Sequence, residues 1–170
     1  MNQAFAYAAH DAHSALVPFH FERRGLRRND VLIDILYCGV CHTDLHQARD
    51  HWRNTIFPVV PGHEIVGRVA ALGTDVTLFK IGDRVAVGCM VDSCQDCDQC
   101  HRGMEQMCRK GLTLTYNGKD RQTGEATYGG YSNSIVVREE FVLRVPETLD
   151  ISRVAPLLCA GISTYSPMRE

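Results

Sequence analysis

The apolar positions of this chain gather into short runs rich in Val and Ile: Val31 to Cys38, Glu64 to Leu72, Arg84 to Val87, Tyr131 to Val137 and Phe141 to Val145. Gly, Pro, Asn and Asp bound these runs, with Asn29-Asp30 before the first and Ile81-Gly82-Asp83 before the third. Runs of that length and punctuation predict strands joined by turns. Glycines at 62, 67, 73, 82 and 88 suit corners in a curved sheet. Helical periodicity is sparse before residue 152. Thr43 predicts the N-cap of a short helix running toward Trp52, with Asp44 in its first turn. From Ser152, read as a second cap, Val154, Ala155, Leu157 and Leu158 form an apolar helical face that Gly161 and Pro167 interrupt. The pattern predicts a mainly β domain over residues 1–150. Residues 151–170 read as the start of a helical connection to a further, missing domain.

Composition narrows the function classes. A chain of 170 residues with 45% hydrophobic content can bury an ordinary globular core. A formal charge of -2 leaves no basic stripe, so neither nucleic acid nor a membrane surface is an expected partner. The cluster Arg23, Arg24, Arg27 and Arg28 is short and interrupted, and reads as a solvated loop. No apolar run approaches the roughly 20 residues of a membrane span. Met1 to Ala15 lacks the basic start and apolar stretch of a secretory signal, which makes a cytoplasmic location the expectation.

Eight cysteines change the picture. In a reducing compartment such a count points to metal or redox work rather than disulfides. Cys94, Cys97, Cys100 and Cys108 stand two, two and seven residues apart, among turn-forming Asp92, Ser93, Gln95, Asp96 and Asp98. Short spacers let a tight turn aim successive sulfurs at one point, as a tetrahedral ion requires. Four protein ligands leave no open position, so such a site is structural. The binding free energy, of order 10 kcal/mol, becomes folding free energy for the loop. An iron–sulfur cluster is chemically compatible with two-residue spacers, although the proline that follows the last cysteine of bacterial ferredoxin runs is lacking. Three further residues are dispersed: Cys41 after a strand, His63 before another, and Cys159 far downstream. Each alone admits an ordinary reading, as a small buried hydrophobe or a capping histidine. A Cys/His/Cys metal set is one alternative among these.

Five ordered segments carry a resemblance. Cys-Gly-Val-Cys-His-Thr-Asp (38–44), Pro-Gly-His-Glu-Ile-Val-Gly (61–67), Gly-Asp-Arg-Val (82–85), the four-cysteine lobe and Ala-Pro-Leu-Leu-Cys-Ala-Gly-Ile (155–162) resemble the zinc-dependent medium-chain alcohol dehydrogenases. The likeness is to the cinnamyl-alcohol-dehydrogenase-like branch of broad-range aldehyde reductases. It implies a GroES-like fold, a partly closed β-barrel with short helices, and a zinc-binding lobe over 89–112. It implies two zinc ions per chain. Cys94, Cys97, Cys100 and Cys108 would hold the structural ion, and Cys41, His63 and Cys159 a catalytic one with an open fourth position. Glu64 matches a carboxylate near the metal. Cys38 and Cys89 match no ligand and read as buried packing residues.

The same resemblance implies interconversion of a small alcohol and an aldehyde by hydride transfer with NADP or NAD. Thr43 matches the hydroxyl that accepts the alcohol proton, and His46 the histidine that passes it to solvent. His42 matches a residue facing the cofactor pyrophosphate, and Ser163 one facing the nicotinamide. The alternatives, set below the relay roles, are a helix cap for Thr43 and a merely exposed side chain for His46. Trp52 reads either as a wall of the substrate pocket or as core. One element departs from the pattern: no Gly-x-Gly-x-x-Gly turn follows a strand anywhere, so the Rossmann domain reads as absent. The expectation is a catalytic domain that binds its nucleotide only when the second domain is supplied. Surface near Cys159 and Ile162 is then exposed, or covered by another chain or a homo-oligomer contact. The rival reading is a non-catalytic zinc-binding protein or truncated remnant that retains the fold. The acidic surround of the four cysteines argues against a nucleic-acid-binding zinc ribbon.

Overall fold

The structure, a computed structural model, describes residues 2–169; of the segment predicted for 151–170, Glu170 lies outside the described residues. A five-stranded sheet forms the centre, in the order β8-β3-β4-β5-β9. Its strands are β3 (Asp30–Cys38), β4 (Ile65–Leu72), β5 (Arg84–Val87), β8 (Ser134–Arg138) and β9 (Leu143–Arg144). Two hairpins complete the fold, β1 (Asn2–Ala8) with β2 (Val17–Arg23) and β6 (Met90–Asp92) with β7 (Thr113–Leu114). Every strand pairing among the described residues is antiparallel. Among them there is no helix long and apolar enough to cross a membrane.

Alternation explains the core. Val31, Ile33, Ile65, Val69, Val85, Val87, Ile135 and Val137 project from one face of the sheet and pack together with Phe79 and Phe141. Burying each such side chain is worth about 1.5–3 kcal/mol. The opposite face of β4 and β5 is covered as well: Val66 and Ala86 meet Val145, Val154 and Ala155. The chain after residue 150 is therefore docked on the sheet, and that docking brings Cys159 toward the strand ends. Register shifts between Leu32 and Ile33, and between Ile35 and Tyr37, curl β3. Residues 131–133 then stitch the first hairpin to this sheet. Tyr7 donates its N–H to the Tyr131 carbonyl at 2.9 Å, Asn133 donates to Phe5 at 3.0 Å, and Ile35 donates to Asn133 at 2.9 Å. The result is the expected mainly β, partly closed barrel.

Several local expectations need correction. The strand expected from Phe141 to Val145 shrinks to Leu143–Arg144, because residues 139–141 form a 3-10 turn. Buried Glu139 fixes that turn by accepting the Thr77 and Leu78 N–H groups, each at 3.1 Å. The N-cap of the first helix, α1 (His42–Ala48), is Cys41 rather than Thr43. The cap downstream is Asp150 rather than Ser152, its carboxylate accepting the Ser152 N–H at 3.0 Å. Beyond it the chain runs through 3-10 turns into α2 (Ala160–Tyr165), which contains Gly161 instead of ending there. Cys89 is exposed, not buried, whereas Cys38 packs against the core. Trp52 is 49% exposed, which removes the core reading.

The arginine cluster is the largest correction. Arg23 is buried, and its guanidinium donates to the carbonyls of Tyr128, Gly129 and Ser134 and to the Ser132 hydroxyl. The Gly129 and Ser134 carbonyls also accept the Ser132 hydroxyl, so the buried guanidinium and that hydroxyl together hold this segment in place. Arg24 pairs with Asp30 and Asp120, and Arg27 pairs with Asp120 at 2.7 Å; only Arg28 stands out in solvent. Burial works against the Asp120 charge, yet Arg27 and the N–H groups of Thr123 and Gln122 hold its carboxyl well below the usual carboxylate range. A depressed folded-state pKa contributes stability above the unfolded value of about 3.9 and loses it as pH falls below that value. Asp120→Asn is expected to destabilise the chain by about 1–3 kcal/mol at pH 7 and by clearly less at pH 3, read from urea midpoints at both pH values. An equal loss at both would exclude a charge contribution.

Candidate metal centres

Among the described residues, two groups of donors have ligand atoms that all lie within 4.8 Å of one another: Cys94, Cys97, Cys100 and Cys108, and Cys41, His63, Glu64 and Cys159. The first sits beyond the β6–β7 pair, which closes the neck of the lobe. Gln95 adopts a left-handed backbone at φ 55, and short 3-10 turns at 100–102 and 105–107 reverse the chain. The Cys97–Cys100 sulfurs are 3.5 Å apart and the Cys94–Cys100 sulfurs 3.9 Å. Sulfurs at about 2.3 Å from a tetrahedral ion stand about 3.8 Å apart, whereas a disulfide would bring them to about 2.05 Å. The spacing fits a shared ion, and all eight cysteines are free thiols. Backbone N–H groups of Cys100 and Arg109 pull Cys97 down to about 6, and the Cys94 N–H lowers Cys108. At Cys97 the thiolate, the ligand form, is thereby favoured at neutral pH. The Ser93 hydroxyl works the same way on Cys100, but burial and the neighbouring Cys97 and Cys108 sulfurs push that thiol up to about 11. Asp96–Lys110 at 2.9 Å and Asp98–Arg109 at 2.5 Å tie the two halves of the lobe at its surface.

The second group is assembled from three parts of the fold. Cys41 caps α1, His63 and Glu64 lead into β4, and Cys159 ends the segment docked on β4 and β5. The sulfurs of Cys41 and Cys159 lie 3.7 Å apart, again the separation of two thiolates on one tetrahedral ion. Burial opposes ionisation of Cys41, but hydrogen bonding from the Thr43 N–H and hydroxyl, from Cys159 and from His63 lowers its pKa. Partial burial and the neighbouring Cys41 push Cys159 up to about 12. Glu64 is 3% exposed, and burial raises its carboxyl above the usual range. Gly39 makes room for it, since a Cβ there would stand 2.0 Å from the Glu64 carboxylate.

Asp44, which the sequence offered only as a helix-end charge, organises this centre. Its buried carboxylate accepts the N–H groups of Cys41 and Gly62, each at 2.9 Å, and the Tyr131 hydroxyl at 3.2 Å. It lies 3.2 Å from His63 Nδ1. Burial works against its charge, and these donors keep the carboxyl below its ordinary value. With Nδ1 turned to Asp44, Nε2 is the nitrogen left for a metal, the tautomer that a carboxylate behind a ligating histidine selects. Gly62 has φ 102, and a Cβ on it would meet Tyr131 and the Cys38 sulfur at 2.7–2.8 Å. Only glycine turns this corner with its N–H aimed at Asp44.

The other sequence candidates fall around this centre. Thr43 lies in the first turn of α1, beside Cys41. His42 is exposed and packs on His46 with ring centroids 4.6 Å apart; His46 Nδ1 meets His51 Nδ1 at 2.9 Å and its ring lies 4.9 Å from Trp52. Ser163 is exposed on α2, its N–H donating to the Cys159 carbonyl. Ile162, Tyr165 and Met168 are exposed too, as the sequence anticipated for the surface after Cys159. Cavities of about 380 Å³ and 270 Å³ open elsewhere in the fold, and none of Cys41, His63 and Cys159 lines either.

Comparison with known proteins gives a consistent answer. Residues 27–147 match the family described as the alcohol dehydrogenase GroES-like domain. The chain is 52% identical over 166 residues to probable cinnamyl alcohol dehydrogenase 5 of Oryza sativa subsp. japonica, covering 98% of this chain and 46% of that protein. It is 57% identical over 149 residues to a probable formaldehyde dehydrogenase of Bacillus subtilis, covering 88% and 42%. Among solved structures, a cinnamyl alcohol dehydrogenase of Sorghum bicolor superposes with a TM-score of 0.95 at 49% identity, covering 99% of this chain and 48% of that one. CAD from Helicobacter pylori, complexed with NADP(H), superposes at 0.94 and 45% identity, covering 98% and 48%. The chain spans about half the length of the curated relatives it matches.

Zinc-reconstituted chain is expected to carry two ions. Cys97→Ser should remove one and expose the lobe to protease, Cys159→Ser should remove the other, and Asp44→Asn should weaken that second ion about 10–100-fold. Metal analysis after dialysis against graded chelator reads all three. Retention of two ions in Cys159→Ser would place the second elsewhere.

Proposed function

Because the chain belongs to the alcohol dehydrogenase GroES-like domain family, we propose that it is the catalytic, zinc-carrying domain of an NADP- or NAD-dependent oxidoreductase that interconverts small alcohols and aldehydes. The observation that carries this reading is the convergence of Cys41, His63 and Cys159 on one point, with Glu64 as the fourth donor in the group. Three firm ligands leave one corner for an exchangeable ligand, which the four-cysteine lobe does not. Zinc bound there would act as a Lewis acid toward a substrate oxygen.

The chain's own residues supply the rest. Cys41 and Cys159 fix two corners from opposite sides, and Asp44 holds the His63 ring with Nε2 forward. Glu64, whose carboxyl burial raises above the usual range, serves as an adjustable carboxylate beside the open corner. The Thr43 hydroxyl takes the proton an alcohol sheds on oxidation. His46, three residues along α1 and so on the same helix face, exchanges that proton with solvent. Burial and the neighbouring His42 and His51 lower the His46 pKa, which keeps a neutral ring available as acceptor near pH 7. His42 and Ser163, both exposed, would meet the pyrophosphate and nicotinamide of the cofactor.

The described residues contain no parallel β-α-β unit that would hold the adenosine half of a dinucleotide. The exposed Ile162, Tyr165 and Met168 are the surface on which a nucleotide-binding domain or another chain would sit. The 170-residue chain by itself is accordingly expected to show no aldehyde-dependent NADPH oxidation. The site itself is tested without turnover. In cobalt-substituted chain, imidazole or a short aliphatic alcohol is expected to shift the visible cobalt bands, and Cys159→Ser should abolish the shift. Bands indifferent to every such ligand would mean a closed centre and overturn the catalytic assignment.

A further inference from the structure

Three histidines outside both donor groups meet at the exposed end of α1. His42 and His46 are one turn apart on the same helix face, the spacing by which paired histidines hold zinc on helices. Their rings lie side by side, with centroids 4.6 Å apart. His51 comes back over them from the following turn. Its N–H donates to the His46 carbonyl at 2.9 Å, and its Nδ1 faces His46 Nδ1 at 2.9 Å. The turn is fixed in place: Asp50 donates to the Gln47 carbonyl, holds a left-handed φ of 50, and accepts the Thr55 N–H at 2.9 Å through its side chain.

We propose that His42, His46 and His51 form a third metal site, at the surface, for a divalent transition ion of the nickel, copper or zinc class. Two imidazole nitrogens 2.9 Å apart share either a hydrogen, one neutral ring donating to the other, or a cation. Nitrogens about 2.1 Å from one ion and at right angles stand about 2.9–3.0 Å apart, so the observed pair already has the bite of a tetragonal or octahedral site. The three rings do not all bring a nitrogen within 4.8 Å of the others as they stand. Binding therefore requires His42 to rotate its side chain toward the His46–His51 pair, with water in the remaining positions. Imidazole is the ligand this class of ion favours over the harder oxygen donors suited to magnesium or calcium. The site shares no residue with either sulfur-bearing group. An ion here would occupy His46 Nδ1 and withdraw that ring from proton exchange. This consequence, unlike the site itself, rests on the proton path proposed above.

The test uses Trp52, the single tryptophan of the chain, whose ring lies 4.9 Å from that of His46. Zinc-loaded chain is titrated with nickel(II) while tryptophan fluorescence and metal content are followed. The expected result is saturable quenching with one nickel bound beyond the two zinc ions, and at least about tenfold weaker binding in His51→Gln. His51 is exposed, so this substitution leaves the fold intact. Failure to bind, quenching unchanged in His51→Gln, or nickel uptake matched by zinc release would each overturn the assignment. None of these outcomes depends on whether the Cys41 centre is catalytic.

Discussion

A single buried carboxylate holds the principal site together. Asp44 takes four donors from three separate stretches of chain: the cap of α1, the Gly62–His63 corner and Tyr131 beside the first hairpin. A charge that deep is tolerated only when its lone pairs are satisfied, and removing one partner of such a network typically costs several kcal/mol. The Cys41 backbone, the His63 ring and the glycine corner between α1 and β4 are therefore mutually fixed before any ion arrives. Pre-organisation of this kind spares the metal the work of ordering its own ligands.

The remaining sulfur reaches this frame by a different route. Cys159 follows a run of 3-10 turns whose Val154 and Ala155 pack on the outer face of β4 and β5. The same strands bury Ile65 and Val87 on their inner face. One strand pair thus serves both as the centre of the barrel and as the mount for the third ligand. Glu64, at the start of β4, is placed beside the sulfurs by the same element, in space that Gly39 leaves open.

Much of this was legible beforehand, and the failures have physical causes. The three central strands are β-branched, alternate cleanly and are flanked by turn residues, so their periodicity marked them. The first hairpin escaped because its pattern is inverted: Ala4, Ala6 and Ala8 face inward while Phe5 and Tyr7 point out. Small residues on the buried face give no amphipathic signal. The arginines misled for a related reason. A charged run usually means solvent, but Arg23 is buried and ties together the carbonyls of Tyr128, Gly129 and Ser134, which only tertiary structure reveals. The four-cysteine group announced itself by spacing, whereas Cys41, His63 and Cys159 were drawn together only by ordered motifs. Asp44 stood within one of those motifs, at the third position of a helix, where its acidic character had a sufficient local explanation. The meeting of His42, His46 and His51 had half a signal, the i, i+4 pair; the third ring depends on a left-handed turn at Asp50 that no residue preference announces.

The two sulfur-bearing sites differ sharply in how much chain must exist before they can close. Cys94 to Cys108 is a compact loop, so its ligands are near neighbours even in an unfolded polypeptide. The other centre joins residue 41 to residue 159, a separation of 118 residues. Loop-closure entropy rises only slowly with separation, but the distant cysteine emerges from the ribosome last and finds its partners only after β4 and β5 have paired. A nascent chain can therefore capture its first ion during synthesis, while its second must wait for a finished barrel. In a cell short of zinc, the resulting population would be folded molecules with the small lobe filled and the Cys41 centre bare.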